Sequence, residues 1–192
     1  MVATTIGPIA GFAGFLLGVR MTDNVHVIES GLAYRSGRLW PGTLDAVIED
    51  YGIRSIINLS SAPDQYWYRA ELAISAARNV VRFEMPLSAR DELTAGQLRQ
   101  LLSLLQRAPK PVLIQSESGA DRSGLAAAIL EYAIALRPFD EAINQLSIRY
   151  GHFPPLWSGT DAMDASFRKF LLEHRADVST KSEGLRISES FR

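Results

Sequence analysis

A chain of 192 residues with 47% hydrophobic and 21% charged side chains and a formal net charge of −1 has the composition of one globular domain with an ordinary core. Charge near zero, with no basic stripe interleaved with aromatics, excludes a general electrostatic pull toward nucleic acid or acidic membranes. The chain has no cysteine, which excludes disulfides and thiolate metal sites, and its three histidines and scattered acids lack metal-ligand spacing, so no metal or cofactor is expected.

Residues 1–19 carry no charged side chain, and the apolar run Ile6 to Val19 stops at Arg20. That length just reaches a membrane span. Gly7, Gly11, Gly14 and Gly18 form two small-xxx-small pairs of the kind that pack membrane helices, although Pro8 and the glycines weaken a helix. A positive n-region is missing, which disfavours a secretory signal. Residues 1–20 are read as an N-terminal membrane anchor; a flexible or buried segment is the competing reading. Arg20 alone does not fix the membrane side.

The spacing then predicts a short strand pair over Val25 to Ser36, turning at Ser30-Gly31, and a helix from Pro41 to Tyr51 with Leu44, Val47, Ile48 and Tyr51 on one face. Ser55 to Leu59 is a β-branched strand, and Gln65 to Arg78 a helix with Tyr66, Trp67 and Tyr68 at its entrance. Val80 to Met85 is the next strand, closed by Pro86. After a polar loop from Leu87 to Leu93, Thr94-Ala-Gly-Gln97 reads as a capping box opening a helix through Leu98, Leu101, Leu102 and Leu105. Pro111 to Ile114 is a buried strand ending at Gln115. Arg122 opens a helix with Leu125, Ala128, Ile129, Tyr132 and Leu136 on one face. Pro138 opens another that runs to Gly151, with Phe139, Ala142, Ile143 and Leu146 inward. Asp161 to His174 is the last helix, and residues 176–192 are read as a disordered tail. Strand and helix alternate, so residues 25–175 are expected to form an α/β domain, a mostly parallel sheet with helices on both faces. The loops after Leu59, Met85 and Gln115 should meet at the carboxyl ends of the strands, where such sheets bind ligands.

One stretch carries chemistry: Pro111-Val-Leu-Ile-Gln-Ser-Glu-Ser-Gly-Ala-Asp-Arg-Ser-Gly124. A tight loop entering a helix presents unpaired N–H groups and the positive end of the helix dipole, and so favours an anion. Gly119 is expected to let the backbone come close to the anion. Arg122 adds a planar fork that matches a phosphate in two-toothed fashion, and Ser123 offers a hydroxyl toward Ser116 at the loop's start. A cation at a helix start opposes the dipole, and a bound anion gives a reason for it. No Gly-x4-Gly-Lys-Ser/Thr is present, which disfavours a nucleotide triphosphatase.

This stretch resembles the His-Cys-x5-Arg-Ser/Thr loop of the cysteine-based protein tyrosine and dual-specificity phosphatases, its Gly-Ala-Asp-Arg-Ser-Gly run being most similar to the small bacterial branch. The flanks Leu32-Ala-Tyr-Arg-Ser36, Gly52-Ile-Arg-Ser-Ile-Ile-Asn-Leu59, Pro86-Leu-Ser-Ala89 and Arg149-Tyr-Gly-His-Phe-Pro154 extend the resemblance over roughly residues 30 to 172. It implies a tyrosine/dual-specificity phosphatase-like fold and a phosphoric monoester hydrolase. Position 116 is then the nucleophile, Arg122 the phosphoryl clamp, and Glu117, Ser118, Gly119, Ala120, Asp121 and Ser123 the cradle. The implied ligand is a phosphorylated protein or a small phosphomonoester, phosphotyrosine first among them. The anchor would then sit in a bacterial inner membrane. The resemblance places a general acid on the loop from Leu87 to Leu93, where Asp91 is the candidate, ahead of Glu92, with Asp64 as a third choice and Arg90 disturbing the register.

Three positions depart from the pattern: Gln115, Ser116 and Glu117, the last standing where lysine is common. Gln115 replaces the histidine and never carries charge. Ser116 replaces the nucleophilic cysteine, either natively or by exchange, and a hydroxyl needs a base where a thiol needs only a lowered pKa. The chain as written is therefore expected to bind phosphate and turn over poorly. The alternatives are a natural pseudophosphatase that recognises phosphate without turnover, and a membrane scaffold with a vestigial loop. Glu117 lowers the positive potential at the mouth, which disfavours highly phosphorylated ligands such as phosphoinositides. Asp121, Tyr34, Arg35 and His152 are read as structural: a loop brace, a sheet tyrosine, an arginine tying loops together and a hydrogen-bonded core histidine. Tyr66, Trp67 and Tyr68 are read as core, with a wall for a phosphotyrosine ring as the alternative.

Overall fold

The computed structural model describes Gly14, Gly18 and residues 23–60, 65–155, 159 and 161–174. Both the apolar run 6–19 (apart from Gly14 and Gly18) and the tail 176–192 lie outside those residues. Among the described residues no helix is long and apolar enough to cross a membrane.

Five strands form one sheet: β1 (His26–Glu29), β2 (Ala33–Ser36), β3 (Ser55–Asn58), β4 (Val81–Glu84) and β5 (Val112–Gln115), in the order β1-β2-β5-β3-β4. The β1–β2 hairpin is antiparallel; β2, β5, β3 and β4 run parallel. The helices are α1 (Pro41–Asp50), α2 (Tyr66–Ala77), α3 (Ala95–Arg107), α4 (Arg122–Ala133), a short α5 (Phe139–Ala142) and α6 over 161–174. The expected capping box is formed at α3, where Thr94 and Gln97 cap each other.

Strand side chains alternate between faces, and the register lines them up. Tyr34, Leu113 and Ile56 are cross-strand partners and pack with Leu44, Val47 and Ile48 of α1. One residue on, Ile114 and Ile57 face the other way, into the core built with Leu101, Leu105, Leu125, Ile129 and Phe167 from α3, α4 and α6. The last residues of the four parallel strands, Ser36, Gln115, Asn58 and Glu84, stand in one cross-strand row. This polar row marks the carboxyl edge of the sheet.

Three expectations are corrected. α4 has no single inward face: residues 123–131 are buried all round, because the sheet, α3, α5 and the turns after it enclose it. Leu136, expected on that face, is 82% exposed with a left-handed φ of 57°; α4 has already ended, ahead of Pro138, whose ring disfavours helix at the residue before it. The helix expected from Pro138 to Gly151 is broken. It passes from α5 into two short 3-10 turns, Ile143–Gln145 and Ile148–Tyr150, with an extended Ser147 between them. The cause is tertiary. Arg35 Nη1 donates to the Gln145 carbonyl at 2.7 Å and to its side-chain Oε1 at 2.7 Å, which holds Gln145 out of a continuing helix. Phe139 is correspondingly 41% exposed, although one face of its ring stacks on Phe167.

Candidate active site

The loops after β3, β4 and β5 meet at the sheet's carboxyl edge, as the alternation predicts. Arg122, at the first turn of α4, joins them: its Nη1 donates to the Leu59 carbonyl at 3.4 Å and to the Leu87 carbonyl at 3.3 Å. Its side chain is 13% exposed, and burial pushes its pKa down against the opposing pull of Glu117. Nε is buried without a hydrogen-bond partner among the described residues. A buried, unpaired donor on a cationic fork is costly unless an acceptor arrives.

The loop 116–121 is shaped by what holds its carbonyls. The Glu117 carbonyl accepts from the Arg38 amide at 3.1 Å, and the Ser118 carbonyl from Asn24 Nδ2 at 2.9 Å. The Gly119 and Ala120 carbonyls accept from Arg35 Nη2 at 2.8 and 2.9 Å, and the Asp121 carbonyl takes the Leu125 amide at 2.9 Å. In a planar trans peptide, the carbonyl of one residue and the N–H of the next point to opposite sides. The four successive carbonyls of residues 117–120, held from outside, therefore turn the N–H groups of residues 118–121 toward the loop's interior, while the Asp121 carbonyl begins the hydrogen-bond ladder of α4. Inward N–H groups at the start of a helix are the arrangement that can receive an anion. Ser116 stands at the loop's start, and its Oγ donates to Ser123 Oγ at 3.1 Å.

Gly119 is required for a reason that the sequence did not reveal. Its φ is +70°, and a Cβ there would lie 2.5 Å from the Gly37 amide nitrogen and 2.7 Å from the Ser36 carbonyl carbon. The close approach is to the end of β2 on the loop's outer side. Arg35 is fully buried and ties this loop to Gln145, as expected; burial lowers its pKa to about 10, so it stays charged at neutral pH.

Asp121 turns away from the cradle. Its Oδ1 lies 2.8 Å from His152 Nδ1, and His152 Nε2 lies 2.9 Å from Asp164 Oδ2 on α6. Only an imidazolium can donate to both carboxylates at once. Burial opposes that charge, yet the hydrogen bonds to Asp121 and Asp164 outweigh it and raise the His152 pKa. A raised histidine pKa contributes stability that is complete below its unfolded value, about 6.5, and is lost as pH rises through the folded value. Melting temperature should therefore fall as pH rises above about 6, with a slope of at most about 1.4 kcal/mol per pH unit from this group. His152→Gln should flatten that slope; an unchanged pH profile would refute the assignment.

Gln115 donates from Nε2 to Glu71 Oε1 at 3.0 Å, while Glu71 also meets Arg82 at 3.4 Å. Glu71 is buried on α2, and burial pushes its carboxyl pKa up against the lowering effects of Arg82 and Gln115. Beside it, Asn58 donates to Glu84 at 2.7 Å. These side chains support the polar row, and their only sequence signal was an acid placed at an inward position of an otherwise mixed helix. Arg38 and Trp67 were also not assigned to the cleft, although Trp67 had been weighed as a wall. They line it together with Asn58, Ser60, Gln115 and Ser116, with the Arg38 guanidinium 4.1 Å above the Trp67 ring.

The acid is less well placed. Asp91 is exposed and, among the described residues, is not one of those lining the cleft. Glu92 faces Lys169 at 3.4 Å. Asp64 lies outside the described residues. Among the described residues no group of acids, histidines or cysteines could hold a metal ion.

Comparison with known proteins follows from this geometry. TpbA of P. aeruginosa superposes with a TM-score of 0.61 at 19% identity, over 76% of this chain and 84% of that one. The fold is that of the cysteine-based tyrosine and dual-specificity phosphatases. A cysteine-to-serine form of TpbA in complex with phosphotyrosine matches with a TM-score of 0.59 at 18% identity, covering 78% of this chain and 91% of that chain. The core catalytic domain of the PP-IP phosphatase SIW14 from S. cerevisiae, in complex with citrate, matches with a TM-score of 0.63 at 16% identity over 84% and 93%. No protein-family model and no curated protein matches the sequence.

Proposed function

We propose that this chain is a phosphomonoester-recognising domain of the cysteine-phosphatase type, a phosphoric monoester hydrolase by design whose position 116 holds serine. As written it binds the phosphoryl group and turns it over slowly or not at all. The observation that carries the reading is the loop itself: four carbonyls braced outward beside a buried arginine whose Nε has no partner among the described residues. Inward amides and a guanidinium fork stabilise a tetrahedral dianion and the charge that develops as the phosphoryl group transfers. Ser116, beside Ser123, stands where the attacking atom would be, and Asp91 remains the proposed proton donor to the leaving oxygen.

Phosphotyrosine is the first ligand to try, since a cysteine-to-serine protein of this fold holds it. Titration with phosphotyrosine and inorganic phosphate, followed by amide shifts of residues 117–123, should show saturable binding. Arg122→Ala should weaken it by about a hundredfold, the usual cost of losing a buried charge-assisted fork. Arg122→Lys should fall in between, because an ammonium keeps the charge but loses the fork. A folded Arg122→Ala protein that binds as well as the parent would refute the reading.

The second reading, a natural binding module, is favoured by one contact. Gln115, at the histidine position, is engaged with the buried Glu71, so positions 115 and 116 both depart from the catalytic pattern while the cradle is kept.

A further inference from the structure

Glu117 supplies the anion that the cradle's arginine meets in this structure. Its Oε2 lies 3.4 Å from Arg122 Nη2, and its Oε1 lies 3.8 Å from Arg38 Nη2. The three partners differ in freedom: the Glu117 side chain is 66% exposed, Arg38 39% and Arg122 13%. Arg38 is positioned by the Trp67 ring and by its own amide, which donates to the Glu117 carbonyl at 3.1 Å. Two placed guanidiniums thus share one exposed carboxylate across the mouth.

The edges of the Arg122 fork are unequally occupied. Nη1 is committed to the Leu59 and Leu87 carbonyls. Nε and Nη2 form the remaining two-donor edge, the one suited to bidentate capture of an oxyanion. Nε is buried and unpartnered among the described residues, and Nη2 holds Glu117. An incoming dianion therefore meets a carboxylate on the edge it needs, and like charges within a few ångströms repel. Arg38 is the cation within reach that can receive the displaced side chain.

Building on the phosphate-binding reading, we infer that Glu117 is an internal competitor and a specificity-determining residue. It covers Arg122 until a phosphate displaces it onto Arg38. Once there, it neutralises the cation that would otherwise hold a second phosphate. The ligand class is thereby narrowed to isolated phosphomonoesters with neutral or cationic groups beside the phosphate. Pyrophosphates and vicinal bisphosphates are rejected.

The test is a titration of the parent, Glu117→Gln, Arg38→Gln and the double variant with inorganic phosphate and with pyrophosphate, read by calorimetry and by loop amide shifts. Glu117→Gln should tighten inorganic phosphate roughly threefold to tenfold, the scale of one half-exposed ion pair plus relief of repulsion, and should tighten pyrophosphate by a larger factor. Arg38→Gln should weaken inorganic phosphate more in the presence of Glu117 than in its absence, a coupling that independent structural roles would not produce. Binding of both anions unchanged by Glu117→Gln overturns this inference and leaves the phosphate reading standing. No binding of either anion by any of the four folded proteins overturns both.

Discussion

Ser116→Cys should raise hydrolysis of p-nitrophenyl phosphate at least on the order of a thousandfold over the parent, the scale on which supplying a missing nucleophile acts. The argument rests on what surrounds position 116. Its backbone is fixed, with the Ser116 amide on the Ser36 carbonyl at 3.2 Å, and its side-chain oxygen touches Ser123 Oγ. Neither contact is a base. A hydroxyl with its ordinary pKa stays protonated there, whereas a thiol at the same place sits against Ser123 in the first turn of α4, near the positive end of that helix's dipole. That setting lowers a thiol pKa. Gln115→His added to Ser116→Cys should raise turnover further at mildly acidic pH. In the cysteine background, Asp91→Asn should slow hydrolysis of phosphotyrosine more than of p-nitrophenyl phosphate, whose leaving group needs no proton. A folded Ser116→Cys protein that binds phosphate yet hydrolyses neither substrate would make the chain a recognition module.

The strand, loop and helix that carry the candidate site were legible in the sequence because their signals are local. An apolar run stopping at Gln115, a glycine at 119 and an arginine opening a helical pattern lie within a dozen residues, and the strand–loop–helix order needs no distant partner. What is fixed by distant contacts was harder to read. The break at Gln145 follows from Arg35, 110 residues away. The need for glycine at 119 comes from backbone at Ser36 and Gly37. The placement of Glu117 between two arginines depends on Arg38 reaching over from the end of β2. The proton donor stayed ambiguous because an acid on an irregular loop has no periodicity to place it.

Arg35 is where these distant contacts converge, and Arg35→Ala should be the most damaging single change outside the cradle. The guanidinium is fully buried, donates four hydrogen bonds to Gln145, Gly119 and Ala120, and lies 4.3 Å from the centre of the Tyr150 ring. Deleting it leaves three backbone carbonyls and one side-chain carbonyl unsatisfied in the interior, together with a cavity. Losing one side of such a buried charged network costs about 3–5 kcal/mol, which urea unfolding would read as a lower midpoint. Arg35→Lys should recover only part, since a single ammonium cannot span the carbonyls of both segments. Its effect on phosphate is the decisive measurement. Freed from Arg35, the Gly119 and Ala120 carbonyls can rotate inward, placing negative dipoles where the dianion should sit. Phosphate affinity of the Arg35→Lys protein, measured under conditions where it is folded, should therefore drop by at least about tenfold, the equivalent of one hydrogen bond to a charged group. Lower stability with undiminished phosphate affinity would mean that the cradle keeps its shape without this brace, and that the outward carbonyls are held by the other donors alone.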